Sequence, residues 1–183
     1  RARELYSDIE IISEFDKIIN DNSINIVAIV TPVSTHFELA FRVLKSNKHL
    51  FIEKPMVQSS KEADILINIA NDNNLVGVVD HTFLFTGSVK KIKEIIDSGE
   101  IGELVYFDST RVNLGIFQND IDVIWDLAPH DLSILFYIKD EMPTTVNANG
   151  VDIVNNGLVD IAYLNLEYDH NMIANFHLNW FSP

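Results

Sequence analysis

Three short apolar runs, each closed by turn-forming or charged residues and separated by helix-patterned segments, restrict the fold of this chain more than any other feature. "INIVAIVTP" (24–32), "HLFIE" (49–53) and "LVGVVDH" (75–81) are rich in β-branched residues. Continuous runs of that kind read as strands buried on both faces, which occur in parallel sheets. Between the first two, apolar residues at 37, 39, 40, 41, 43 and 44 mark a helix. Between the last two, "SKEADILINIANDNN" places Ala63, Leu66, Ile67 and Ala70 on one stripe behind a candidate cap, Ser60. Upstream, "RARELYSDIEII" reads as the tail of a helix entering a short strand, and "SEFDKIINDNS" as a short helix capped by Ser13. Strands alternating with helices predict the later part of a doubly wound α/β sheet.

After residue 85 the pattern changes. "GSVKKIKEIIDSG" reads as a helix stopped by Gly99, "LVYFDSTRVNL" alternates like a half-exposed strand, and "WDLAPHDLSILFYI" reads as an apolar helix. "TTVNANGVDIV", "LVDIAYLNLEYD" and "NMIANFHLNWF" follow as β segments, separated by turn residues Asn155-Asn156-Gly157 and Asp169-His170-Asn171. The expectation is an α/β fold of two partial domains: 1–82 with a Rossmann-type parallel sheet, and 83–183, α+β, with a largely antiparallel open sheet. Such a sheet leaves one face to cover, which favours a homo-oligomer.

Composition narrows the function classes. Thirteen Lys plus Arg against 27 Asp plus Glu give a net charge of -14, which argues against nucleic acid and anionic membranes as partners. With no cysteine, disulfides, thiolate metal sites and Cys nucleophiles are excluded, as fits a cytoplasmic protein. No apolar run approaches the roughly 20 residues of a membrane helix. The chain opens without Met and stops inside a strand-like pattern, so it reads as a fragment.

Ligands of open α/β sheets bind outside the carboxyl ends of the strands. Those ends carry Thr31-Pro32, Glu53-Lys54-Pro55 and Asp80-His81. A lysine beside apolar residues loses hydration, which suits it to proton transfer near neutrality; an exposed Glu-Lys ion pair in an ordinary loop fits the same residues. Base rates favour a trans Lys54–Pro55 bond. In "WDLAPHDL", Asp126 and His130 are four apart and would share a helix face. Histidine is the usual acid/base near neutral pH, and a carboxylate one turn away can orient it. Alternatively Asp126 is the helix N-cap with Pro129 in the first turn, and His130 is structural. Asp131 reads as a solvated partner of the helix dipole. A divalent metal could use Asp126, His130, Asp131 and His177 only with a guessed geometry, so no metal site is assigned. His49 and His170 read as loop residues without partners.

"VAIVTPVSTHFELAFRVLKSNKHLFIEKPM", followed about seventy residues later by "DLAPHDLSIL", resembles the Gfo/Idh/MocA family over nearly the whole chain. The resemblance implies an NAD- or NADP-dependent oxidoreductase acting on a secondary hydroxyl or ketone of a sugar, cyclitol or nucleotide sugar. It gives Lys54 the role of active-site lysine, with Asp126 and His130 completing the catalytic set. Thr31, Pro32, His36, Glu53 and His81 would line the cofactor, Glu53 at the nicotinamide ribose. Arg111, Asn113 and Gln118 would face a sugar or diphosphate. The family's glycine-rich turn does not occur in this sequence, and "DHTFLFTGSVKKIK" departs from the family's pattern. Rival readings are a non-catalytic ligand-binding or scaffold protein of the same fold and a metal-dependent hydrolase.

Overall fold

The computed structural model describes residues 2–114, 117–154 and 157–183. The chain forms two compact units, Arg1–Val79 and Asp80–Pro183.

The first unit runs α1 (Ala2–Leu5), α2 (Phe15–Asn20), β1 (Ile26–Ile29), α3 (His36–Lys45), β2 (His49–Ile52), α4 (Ser60–Asp72) and β3 (Gly77–Val79). The three strands are parallel in the order β1-β2-β3, with Ile29 level with Ile52 and Ile52 level with Val79. Val27, Ile29, Leu50 and Ile52 on the sheet pack with Ala40, Val43 and Leu44 of α3 and Leu66, Ile69 and Ala70 of α4. Phe15, Ile18 and Ile19 of α2 join the same cluster. Because all three helices feed one core, the other face of the sheet is open, and Ile26 is 60 % exposed. The expectation of strands buried on both faces is corrected accordingly.

Local details also differ from the sequence reading. Residues 8–12 form no strand. The cap of α4 is Ser59, whose hydroxyl accepts from Glu62 N at 3.3 Å; Ser60 is already helical. Glu14, not Ser13, precedes α2. His49 has a partner after all, its Nδ1 accepting from Val76 N at 3.0 Å. Lys48 is buried and donates to the carbonyls of Asp21 and Ile24, tying the end of α3 to the entry of β1.

The second unit runs α5 (Gly87–Asp97), β4 (Tyr106–Val112), α6 (Val123–Lys139), β5 (Thr145–Val151), β6 (Ile161–Glu167) and β7 (Ile173–Asn179). Gly99 and Gly102, at φ 71° and 79°, turn the chain between α5 and β4 in a conformation that glycine adopts without cost. The sheet order is β4-β7-β6-β5. β5–β6 and β6–β7 are antiparallel, while β4 runs parallel to β7, so the sheet is mixed. His170 and Asn171, at φ 62° and 60°, make the tight link between β6 and β7. Of the other expected turn, Asn155 and Asn156 lie outside the described residues.

Period-two alternation builds the core of this unit. Ala162, Leu164 and Leu166 of β6 and Ala174, Phe176 and Leu178 of β7 are buried with Val123, Leu127, Ala128 and Leu135 of α6. Ile161, Tyr163, Ile173 and His177 fall on the opposite face, where Tyr163 and His177 stack at 4.6 Å and 2°. Among the described residues, no helix is long and apolar enough to cross a membrane.

Candidate active site

In the first unit, β1 and β2 end level with each other, and Glu53 N extends the ladder by donating to Ile29 O at 2.9 Å. The loops carrying Thr31-Pro32 and Glu53-Lys54-Pro55 therefore leave the sheet side by side. Thr31 Oγ1 and Thr35 Oγ1 lie 2.7 Å apart, and the Thr35 hydroxyl donates to Pro32 O at 2.8 Å. His36, the first residue of α3, is 1 % exposed. Its Nε2 lies 2.9 Å from Thr31 O and its Nδ1 3.0 Å from Pro55 O. One imidazole thus joins the two loops, and its polar atoms face backbone carbonyls.

The Lys54–Pro55 peptide is cis, against the base-rate expectation. Glu53 and Lys54 are half-buried. The Glu53 carboxylate accepts from the backbone N of Lys54 at 3.0 Å, a contact that fixes the acid against its own loop.

In the second unit, the cap of α6 is Asp122, whose carboxylate accepts from Trp125 N at 2.9 Å. The alternative in which Asp126 caps the helix is thereby removed, and Pro129 lies inside α6 and not in its first turn. Asp126 is buried and its Oδ2 accepts from Trp180 Nε1 at 3.1 Å. His130, one turn on, is half-buried, with its ring perpendicular (84°) to Phe83 at 4.9 Å.

Asp131 is buried, contrary to the solvated role expected of it. Arg111 Nε and Nη2 each donate to it at 2.7 Å. β4 points Arg111 toward α6 because Arg111 is level with Leu178, a core residue of β7. The Arg111 guanidinium also lies over the Phe83 ring, 4.7 Å from its centroid. With two donors committed to Asp131, Arg111 would offer a ligand only its remaining edge.

His81 follows β3 by two residues and opens a 3-10 turn, Thr82–Phe85. Its Nδ1 is buried and makes no hydrogen bond among the described residues. Burial lowers the His81 pKa below the ordinary histidine value, with the Asp80 charge opposing. Asn113 is exposed just past β4 and donates its backbone N to Asn179 O at 3.0 Å. Gln118 is half-buried beside Phe117, whose ring meets Trp180 and Phe181.

The donors weighed for a metal do not gather: Asp126 is on Trp180, Asp131 on Arg111, and His177 on the far face of the sheet with Tyr163. Among the described residues, no three His, Cys, Asp or Glu side chains are placed to hold an ion.

Sequence reasoning missed Trp180 and Phe83. Trp180 is fully buried, and its indole N–H is the kind of polar group that needs a buried acceptor. Nothing in the sequence could say that the acceptor is Asp126.

Comparison with known proteins identifies the family. The sequence model of the oxidoreductase family with an NAD-binding Rossmann fold, GFO/IDH/MocA, matches residues 1–81, and that of the GFO/IDH/MocA C-terminal domain matches residues 89–183. The chain belongs to the Gfo/Idh/MocA family of oxidoreductases. Its relatives include UDP-N-acetylglucosamine 3-dehydrogenase of Acidithiobacillus ferrooxidans, 32 % identical over 155 residues, covering 83 % of this chain and 47 % of that protein. Another is the NAD(+)-dependent scyllo-inositol 2-dehydrogenase of Bacillus subtilis, 26 % identical over 178 residues, with 91 % and 52 % covered. The solved structure of the Acidithiobacillus enzyme superposes with a TM-score of 0.84 at 28 % identity, over all of this chain and 56 % of that one. The chain spans about half the length of these relatives.

Proposed function

We propose that the protein to which this chain belongs is an NAD(P)-dependent dehydrogenase that moves a hydride between nicotinamide and a secondary hydroxyl or ketone of a sugar, cyclitol or nucleotide sugar. The observation that carries this reading is the pair of loops joined by His36, which presents Glu53 and Lys54 at the carboxyl ends of two parallel strands. The polar groups of the first unit suit the cofactor: a carboxylate at Glu53 to accept from ribose hydroxyls, and the Thr31 hydroxyl. Thr31, Pro32, Glu53, Lys54 and His81 would hold the cofactor, with His36 behind them. Bound NAD(P) supplies the hydride acceptor for alcohol oxidation.

The protein's own work is binding, orientation and proton transfer. Lys54, half-buried and rooted between Glu53 and a buried Pro55, would hydrogen-bond the reacting oxygen. His130 would take the hydroxyl proton, with Asp126 one turn away on the same helix face orienting the site. Asn113 and Gln118 would contact the rest of the sugar, as would the open edge of Arg111. The 32 % identity to a UDP-sugar dehydrogenase favours a nucleotide sugar as the first substrate class to test. Tyr106, Tyr163 and Ile173, exposed on the sheet face opposite α6, form the surface through which we expect a second copy to bind.

The test is turnover of the full-length protein on UDP-hexosamines, free hexoses and inositols with each nicotinamide cofactor, followed by reduced-cofactor absorbance. Reduction with at least one sugar class is expected. Tight cofactor binding without turnover on any class would favour a non-catalytic ligand-binding protein.

A further inference from the structure

His130 cannot orient its own ring, because the second side-chain torsion of histidine is broad. A proton acceptor works only when its nitrogen is held within hydrogen-bond reach of the substrate. His130 and Asp131 are successive residues of α6, so they leave the helix about 100° apart around its axis. Two side chains from elsewhere in the second unit bridge those directions. Arg111 of β4 is gripped by both oxygens of the buried Asp131, and a two-point contact of that kind fixes the plane of the guanidinium. That plane lies on Phe83, at 4.7 Å. Phe83 in turn stands perpendicular to the His130 imidazole, at 4.9 Å.

We propose that Asp131, Arg111, Phe83 and His130 form a closed ring of contacts, and that Phe83 and Arg111 are positioning residues that set the direction of the His130 imidazole. The ring gives Arg111 a purpose apart from binding a sugar or diphosphate. Phe83 lies in the stretch "DHTFLFTG", and no sequence pattern marks it as part of the site. A purely structural ion pair would stabilise the fold without affecting how His130 performs. The proposal rests on the dehydrogenase role given to His130 only for its consequence in catalysis, since the orientation itself can be observed directly.

The experiment uses full-length protein and four variants: Phe83→Leu, Phe83→Tyr, the paired change Arg111→Met with Asp131→Leu, and His130→Asn. The paired change removes both charges, so that neither is left buried alone. Steady-state kinetics give kcat, KM for sugar and for cofactor, and the pH profile of kcat. Imidazole proton shifts of His130, assigned by loss in His130→Asn, report the ring's direction through the ring current of Phe83. The paired variant, which keeps the Phe83 ring, is expected to move the His130 shifts, and both it and Phe83→Leu to lower kcat by about 10- to 100-fold, the scale of misplacing a catalytic group. KM for the cofactor should hold, and Phe83→Tyr should restore most of the rate lost in Phe83→Leu.

Unchanged His130 shifts in the paired variant would overturn the proposal whatever the kinetics. So would wild-type kcat in both Phe83→Leu and the paired variant while His130→Asn is inactive. Wild-type kcat in His130→Asn would instead refute the catalytic role of His130, and the shifts in the paired variant would still decide whether the contacts through Arg111 and Phe83 orient it. Loss of the fold in the paired variant leaves kcat of Phe83→Leu to decide, and a wild-type value there with His130→Asn inactive would overturn the proposal.

Discussion

Replacing His36 by alanine perturbs the one side chain that joins the two loops of the first unit. The imidazole is 1 % exposed and contacts two carbonyl oxygens at 2.9 and 3.0 Å. A neutral imidazole carries one N–H and donates to one of the two carbonyls at a time; the lost hydrogen bond costs about 0.5–1.5 kcal/mol, and a buried carbonyl left without its donor about 1–3. A large-to-small change in a packed site adds a cavity term. The expected cost is therefore that of one lost donor together with the cavity. The expected loss is about 3 kcal/mol.

Both tryptophans, Trp125 and Trp180, lie in the second unit, so indole fluorescence would miss this change. Hydrogen exchange read by mass spectrometry is the assay. Peptides spanning residues 31–36 and 53–57 should lose protection in His36→Ala, whereas those of β6 and β7 should not. Protection of both loops equal to wild type would refute the claim that His36 holds them together.

Gly150 faces Val159, and a Cβ there would sit 2.5 Å from Val159 Cγ1 and 3.1 Å from Ile161 O; Gly150→Ala should destabilise the second unit by about 1–3 kcal/mol in urea denaturation followed by tryptophan fluorescence. The buried hydroxyl of Tyr168 has no hydrogen-bond partner among the described residues, so Tyr168→Phe should be neutral or stabilising by up to about 1 kcal/mol in the same assay. The folded-state pKa of His81 is lowered by burial, so the folded state binds its proton less readily than the unfolded chain. Its contribution is intact above the unfolded value of about 6.5 and is lost as pH falls below it. Urea midpoints measured from pH 8 to pH 5 should therefore decline less in His81→Asn than in wild type.

Much of the fold was legible because its signals are local. The apolar runs at 26–29 and 49–52 mark the strands, and the alternation across 161–167 and 173–179 records which face of the second sheet is buried. The openness of the first sheet's second face was not legible, since an apolar run reads the same whether or not a neighbour covers it. Caps were misplaced by one residue at Ser59 and Glu14, where adjacent polar residues compete for one position.

At the site, residue types and spacing pointed to Glu53, Lys54, Asp126 and His130, but not to what holds them. Trp180 reaches Asp126 across 54 residues, Arg111 reaches Asp131 across 20, and His36 reaches Pro55 across 19. Partners that distant are set by strand register and helix packing, which no short window of sequence contains. Asp131 shows the consequence: beside a helix it reads as a solvated charge, and only the register that places Arg111 level with Leu178 reveals it as buried.

The central claim is that Lys54 and His130 carry proton handling in a hydride transfer, and single-turnover kinetics of the full-length protein test it most directly. Enzyme loaded with NAD(P) and mixed with an accepted sugar should show a reduction step that falls at least about 100-fold in Lys54→Met and in His130→Asn, with cofactor affinity largely kept in His130→Asn. Reduction at the wild-type rate in both variants would contradict the account.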